Sequence, residues 1–161
     1  MGVGTVYNHF EQKEDVLRAL LDERTEAMLL SVLPRPGEPE EFEARLKARM
    51  TRLMEYVDQH RDYFKLFMVF GMMPEAADDS MRKVAGSALK RVEVVRRTFG
   101  ALVQEGIDAG ALRPLEPAYL SAFLGGAIRS ITFRGIGEKR PSLLPCAEEI
   151  TELFLHGAAS H

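Results

Sequence analysis

Residues 1–16 read MGVGTVYNHFEQKEDV, and their reading decides the fold. Gly4 through Phe10 has the make-up of a short helix, small and polar at its start and aromatic at its end. Glu11-Gln12 is a polar hinge, and Lys13-Glu14-Asp15 opens a second, longer helix that runs to Val32. A short helix presenting Thr5, Tyr7, Asn8 and His9, with Lys13 just beyond, is the kind of surface that meets a phosphate backbone.

The rest of the chain repeats the helical period. Val16, Leu17, Leu20, Leu21, Arg24, Ala27, Met28 and Ser31-Val32 recur at i, i+3, i+4, which predicts one apolar stripe on a rod of about 30 Å. Pro34-Arg35-Pro36-Gly37 ends that rod, because proline cannot extend the hydrogen-bond ladder. Glu38-Pro39-Glu40-Glu41 predicts a restart with acids at the positive end of the helix dipole, and Phe42, Leu46, Met50, Leu53 and Val57 form its stripe. A break is expected at His60-Arg61-Asp62, then a short, buried, nearly all-apolar helix from Tyr63 to Phe70.

Asp78-Asp79-Ser80 offers caps for a long helix reaching Ile107, with Gly110 as its C-terminal stop. Arg82, Lys83, Lys90, Arg91, Arg96 and Arg97 are expected on its solvated face. Two further helices are expected at 117–134 and 145–157, the first ended by Gly135-Ile136-Gly137. No stretch alternates with period two for long enough to predict a strand. The fold class is all-α, with about seven helices and no internal repeat.

Composition narrows the function. At 161 residues, 46% hydrophobic and 28% charged, the chain suits one well-buried globular domain. A net charge of −3 and a pI near 5.8 do not advertise a nucleic-acid binder, although a small DNA-reading head on an acidic body gives the same total. The single cysteine, Cys146, excludes an internal disulfide and a multi-cysteine metal site. No apolar run nears the roughly 18–20 residues that cross a bilayer, and no signal peptide is visible, so a cytoplasmic location without membrane partners is expected.

Gly4-Thr5-Val6-Tyr7-x-His9-Phe10-x-x-Lys13-Glu14-x-x-Leu/Val, here completed by Leu17 after Val16, closely resembles the recognition helix and following helix of TetR-type bacterial transcriptional regulators. The resemblance implies a TetR-like helical bundle. Residues 1–12 would be the remnant of a helix-turn-helix, 13–33 a connecting helix, and 34–161 an effector-binding and dimerising body. It further implies that Thr5, Tyr7, His9 and Lys13 face the DNA backbone, and that Val3, Gly4 and Asn8 lie at base edges or the groove wall. Two further helices precede this segment in that family, which implies a start upstream of Met1. A helix of seven or so residues does not hold itself folded, so operator binding without those helices is expected to be weak or absent.

Two more expectations follow from the same resemblance. Six of the eight methionines (50, 54, 68, 72, 73 and 81) interleave with Tyr56, Tyr63, Phe64, Phe67 and Phe70. By themselves these read as ordinary core, or as adaptable liners of a cavity. The family's effector pocket implies a chamber lined by Met50, Met54, Phe64, Phe67, Met68 and Phe99 for an apolar or aromatic molecule. The family's four-helix interface implies a homodimer through Leu120, Phe123, Leu124, Ala127, Ile131, Ile150, Leu153 and Phe154, the alternative being an internal hairpin of a monomer. Gly125-Gly126 would allow close approach there.

No catalytic set emerges: His60, His156 and His161 are isolated, and no metal, cofactor or phosphate-loop pattern occurs. Cys146 stands at a helix start, where a thiol pKa is lowered, or it is a partly buried bystander. The expected partners are operator DNA, a small-molecule effector and a second copy. The alternative is a ligand-binding and dimerisation module without DNA-binding activity.

Overall fold

In the computed structural model, residues 13–65 and 79–158 are described. They form five helices: α1 (Lys13–Val32), α2 (Phe42–Gln59), α3 (Asp79–Asp108), α4 (Pro117–Gly137) and α5 (Leu144–Ala158). A further helical segment occupies 61–65. No strand occurs among the described residues.

α1 packs on α3 and α2, α2 on α5, and α4 on both α3 and α5. The seam is continuous. Leu21, Met28 and Val32 of α1 meet Leu46, Met50, Met54 and Val57 of α2, with Leu102 and Val103 of α3, Leu124 of α4, and Ile150 and Phe154 of α5 in one buried cluster. Burying such side chains contributes about 1.5–3 kcal/mol each.

The helix ends show where local signals hold and where packing overrides them. Gly110 does stop α3. It sits at φ +71° with its N–H on the Ile107 carbonyl, while the Ala111 N–H reaches Gly106, the paired bonds of a Schellman cap. Gly106 itself permits a close approach, because a Cβ there would lie 2.6 Å from the Phe42 ring. At the end of α4 the expectation fails. The helix continues through Gly135, Ile136 and Gly137 and closes with the same pair of bonds, Lys139 N–H to Ile136 and Arg140 N–H to Gly135. The left-handed position falls on Lys139 at φ 55°. Gly135 is needed for space, not for a turn: a Cβ there would stand 2.6 Å from Leu143.

Glu38 is the second correction. The helix begins a turn later, at Phe42, because the Glu38 carboxylate serves another partner. Both its oxygens accept from Arg49 at 2.8–3.2 Å, and one accepts from Arg52 at 2.6 Å. Arg52 also donates to the carbonyls of Ser31 and Leu33, capping the C-terminal end of α1 in place of a residue of its own chain turn. The two arginines outweigh the effect of burial and hold the Glu38 carboxyl at about 2.

Candidate effector chamber and subunit face

The expected DNA contacts Val3, Gly4, Thr5, Tyr7, Asn8 and His9 lie outside the described residues, as do Phe67 and Met68 of the expected chamber. Lys13 is described, exposed at the first position of α1. Met50 and Met54 are fully buried, and Phe64 and Phe99 nearly so, all within the common core. Thr132 of α4 donates to the Met54 sulfur at 3.7 Å. In this state the four are packed against their neighbours.

A surface hollow of about 320 Å³ lies elsewhere, between the end of α2 and the α4–α5 connection, lined by Glu55, Asp58, Gln59, Arg61, Pro141 and Leu144. Two of its three charged groups are already matched. Arg61 pairs with Asp58 and donates to the Arg140 carbonyl, and Ser142 donates to the second Asp58 oxygen. Those bonds hold the Asp58 carboxyl below its usual range despite burial, which raises it. The hollow reads as a tie between two elements.

The polar inventory that sequence reading missed surrounds the middle of α1. Thr25, on the buried stripe with Leu21, Met28 and Val32, is fully buried. Its hydroxyl donates to the Leu21 carbonyl at 2.5 Å, so the Tyr63 hydroxyl, 2.6 Å away, is the donor in their shared bond. Tyr56 donates to the Arg24 carbonyl at 2.5 Å. The rings behind these hydroxyls interlock, Tyr56 stacking on His60 at 4.4 Å and both tyrosines meeting Phe64 edge-on. Burial, then the neighbouring Tyr63, push the Tyr56 hydroxyl up to about 12.

From the opposite side, α3 holds the same stretch. Ser87 and Arg91 both donate to Asp22, at 2.6 and 2.9 Å, and Arg91 reaches Glu26 at 2.8 Å. Arg91 therefore faces α1, a correction to its expected place on the solvated face, where Lys83, Lys90, Arg96 and Arg97 do lie. The spacing of Thr25 from Leu21 and Met28 was the available signal for a buried hydroxyl.

The expected subunit residues divide into two layers. Leu120, Leu124, Ile150 and Phe154 are buried in the chain's own core, where they join α4 to α5; they lie beneath a surface instead of on it. Ala127 and Ile131 are half-buried. Phe123 and Leu153 are 50% and 53% exposed. The sequence reading overlooked Tyr119 and Phe133, which are 72% and 44% exposed and share the Phe123 face of α4 at i, i+4 and i+14. Gly126 and Ser130 occupy the same face, and a Cβ on Gly125 or Gly126 would meet nothing within 4 Å. Phe123 stacks over Phe154 at 6.3 Å, so the outer layer rests on the inner one.

Cys146 is fully buried. Burial, then Glu149, raise its thiol, against the effect of Arg140. The helix start does not activate it. Among the described residues no cluster of metal-ligating side chains occurs, and no helix is long and apolar enough to cross a membrane.

These helices in this order form an all-helical, TetR-like fold. The structure is similar over nearly its whole length to regulators of that type. A TetR transcription regulator from Haloarcula marismortui superimposes with a TM-score of 0.77 at 18% identity, covering 99% of this chain and 86% of that one. The fatty acid degradation regulator FadR from Bacillus halodurans gives 0.75 at 16% identity, over 98% and 82%. FadR from Bacillus subtilis, solved in complex with stearoyl-CoA, gives 0.69 at 18% identity, over 98% and 82%. No protein-family model matches the sequence, and no curated protein matches it.

Proposed function

We propose that the protein is a cytoplasmic transcriptional regulator, a homodimeric repressor whose hold on operator DNA is released by an apolar effector. The observation that carries this reading is agreement of fold with TetR-type regulators over 99% of the chain, together with the sequence of residues 4–17. The outward face of α4, with Tyr119, Phe123, Gly126 and Phe133, and Leu153 of α5 beside it, is the two-fold interface. Val3, Gly4, Thr5, Tyr7, Asn8, His9 and Lys13 meet DNA, and a dimer places two such segments on half-sites about 34–36 Å apart.

The effector chamber opens among Met50, Met54, Phe64, Phe67, Met68 and Phe99, whose flexible thioethers and flat rings separate around a long apolar group. A long-chain acyl thioester is the first class to test, because one structural neighbour was solved with stearoyl-CoA. Binding favours a body geometry in which α1 carries the two DNA-reading segments out of register with successive major grooves. A coupling of roughly 1–3 kcal/mol gives a 5–150-fold loss of affinity.

Gel shift against a pool of genomic fragments, with and without stearoyl-CoA, tests the reading. The expected result is retention of fragments carrying an inverted repeat by a form that also carries the two preceding helices, weaker or no retention by this chain alone, and release by the thioester. Thioester binding with no retained fragment would point to a ligand-binding module instead. Binding of neither would sink both.

A further inference from the structure

Two sets of directed contacts outside the apolar seam converge on five residues of α1, Asp22 to Glu26. Tyr56 and Tyr63 grip this block from one side, at the Arg24 carbonyl and the Thr25 hydroxyl. Ser87 and Arg91 grip it from the other, at Asp22 and Glu26. Further along, Arg52 pins the end of α1 at the Ser31 and Leu33 carbonyls.

The first half of α1 is held differently. Among the described residues, its only side-chain bond is Arg18 to Asp15 within the helix, and Val16 and Leu20 are 45% and 41% exposed. A rod pinned near residue 32 and displaced at residue 25 moves further at residue 13, as far as the packing of the partly buried Leu17 allows. At about 1.5 Å per residue the two arms are about 10 and 28 Å, so a shift of about 1 Å at Thr25 becomes about 3 Å at Lys13.

We infer that the Tyr63–Thr25 and Tyr56–Arg24 hydrogen bonds are the contacts through which the 61–65 segment and α2 set the angle of α1, making the two tyrosines positioning residues for its first turns. This rests on the regulator reading, in which that angle matters. The chemistry suits the task. A phenol hydroxyl on a buried carbonyl or hydroxyl is directional, whereas apolar contact lets helices slide. The aromatic triangle of Tyr56, Tyr63 and Phe64 ties both hydroxyls to one ring cluster, so a change at Phe64 reaches both at once. Losing the bond leaves Thr25 satisfied by Leu21, so a Phe variant keeps the packing and removes the directed link.

The test uses neither effector nor DNA, so its failure overturns the coupling alone, while failure of the gel-shift experiment overturns the regulator reading alone. Amide hydrogen exchange at residues 17–20 is measured in the full chain. The variants are Phe64→Ala, the double variant Tyr56→Phe/Tyr63→Phe, and their combination. In the wild-type background Phe64→Ala is expected to speed exchange at 17–20 at least fivefold. In the double-variant background the same change is expected to alter it by less than twofold. Phe64→Leu replaces Phe64→Ala if the latter does not fold. Equal acceleration in both backgrounds, or none in either, would overturn the inference.

Discussion

The α1–α2 junction and the α4–α5 pair bury comparable apolar seams but finish them in opposite ways. At the junction, Glu38, Arg49 and Arg52 form a nearly sealed cluster of ions, with side chains 10%, 4% and 17% exposed, and the carbonyls at the end of α1 are capped by it. On α4 and α5 the outer layer is aromatic and aliphatic, with glycines that touch nothing. The difference teaches what each region is for. Directed, desolvated bonds define one geometry and are costly to break. An apolar face with small residues at its centre gains by meeting a second such face.

The largest expected effect breaks the junction. Glu38→Ala leaves Arg49 as a buried cation without its counterion, and the chain should lose about 3–5 kcal/mol of stability in urea or thermal unfolding. Phe123→Ala, on the other face, should change the stability of the single chain by less than about 1 kcal/mol. Equal losses would erase the contrast.

The next effect comes from glycine pairs on α4. Gly135→Ala drives a Cβ against Leu143 and should cost about 1–3 kcal/mol. Gly126→Ala, with open space in the single chain, should stabilise the helix by up to about 1 kcal/mol while loosening any dimer, read as a higher dissociation constant in sedimentation.

The pH dependence sharpens the same comparison. Against the effect of burial, Arg49 and Arg52 hold the Glu38 carboxyl at about 2 in the fold, below its ordinary value of 4.5. Because the folded value is the lower one, its contribution is fully present above about 5 and is lost as pH falls toward 2. Glu38→Gln should flatten that part of the stability–pH curve. The smallest expected effect is Lys139→Gly: relieving the left-handed lysine should stabilise the chain by about 1 kcal/mol.

Much of the fold was legible because helix period and punctuation act locally. The stripe of α2, the stripe of α1 from Leu21 onward, the break at His60, and the stop at Gly110 all follow from spacing and backbone freedom, whereas Val16 and Leu20, expected on the α1 stripe, stand exposed. What escaped depended on partners distant in sequence. Glu38 looked like a dipole-facing acid until Arg49 and Arg52 claimed it, and Gly135 looked like a turn until Leu143 needed its space. Arg91 looked solvated until Asp22 and Glu26 faced it.

The candidate site was legible in part. Phe123 and Leu153 do stand outward, but periodicity cannot separate the two sides of a helix that is apolar all round. Leu120, Leu124, Ile150 and Phe154 therefore fall in the chain's own core, while Tyr119 and Phe133, which periodicity did not single out, stand exposed. The buried hydroxyl of Thr25 left a trace only in its spacing.

The central claim is that the outer face of α4 and α5 closes a two-fold dimer on which the rest of the regulator is built. Solution mass by light scattering, on the wild-type chain and on Phe123→Asp at micromolar concentration, tests it most directly. The account predicts twice the 18.1 kDa of one chain for the wild type and a single-chain mass for a folded Phe123→Asp. A wild-type chain that stays at 18.1 kDa, or a Phe123→Asp chain that still pairs, would contradict it.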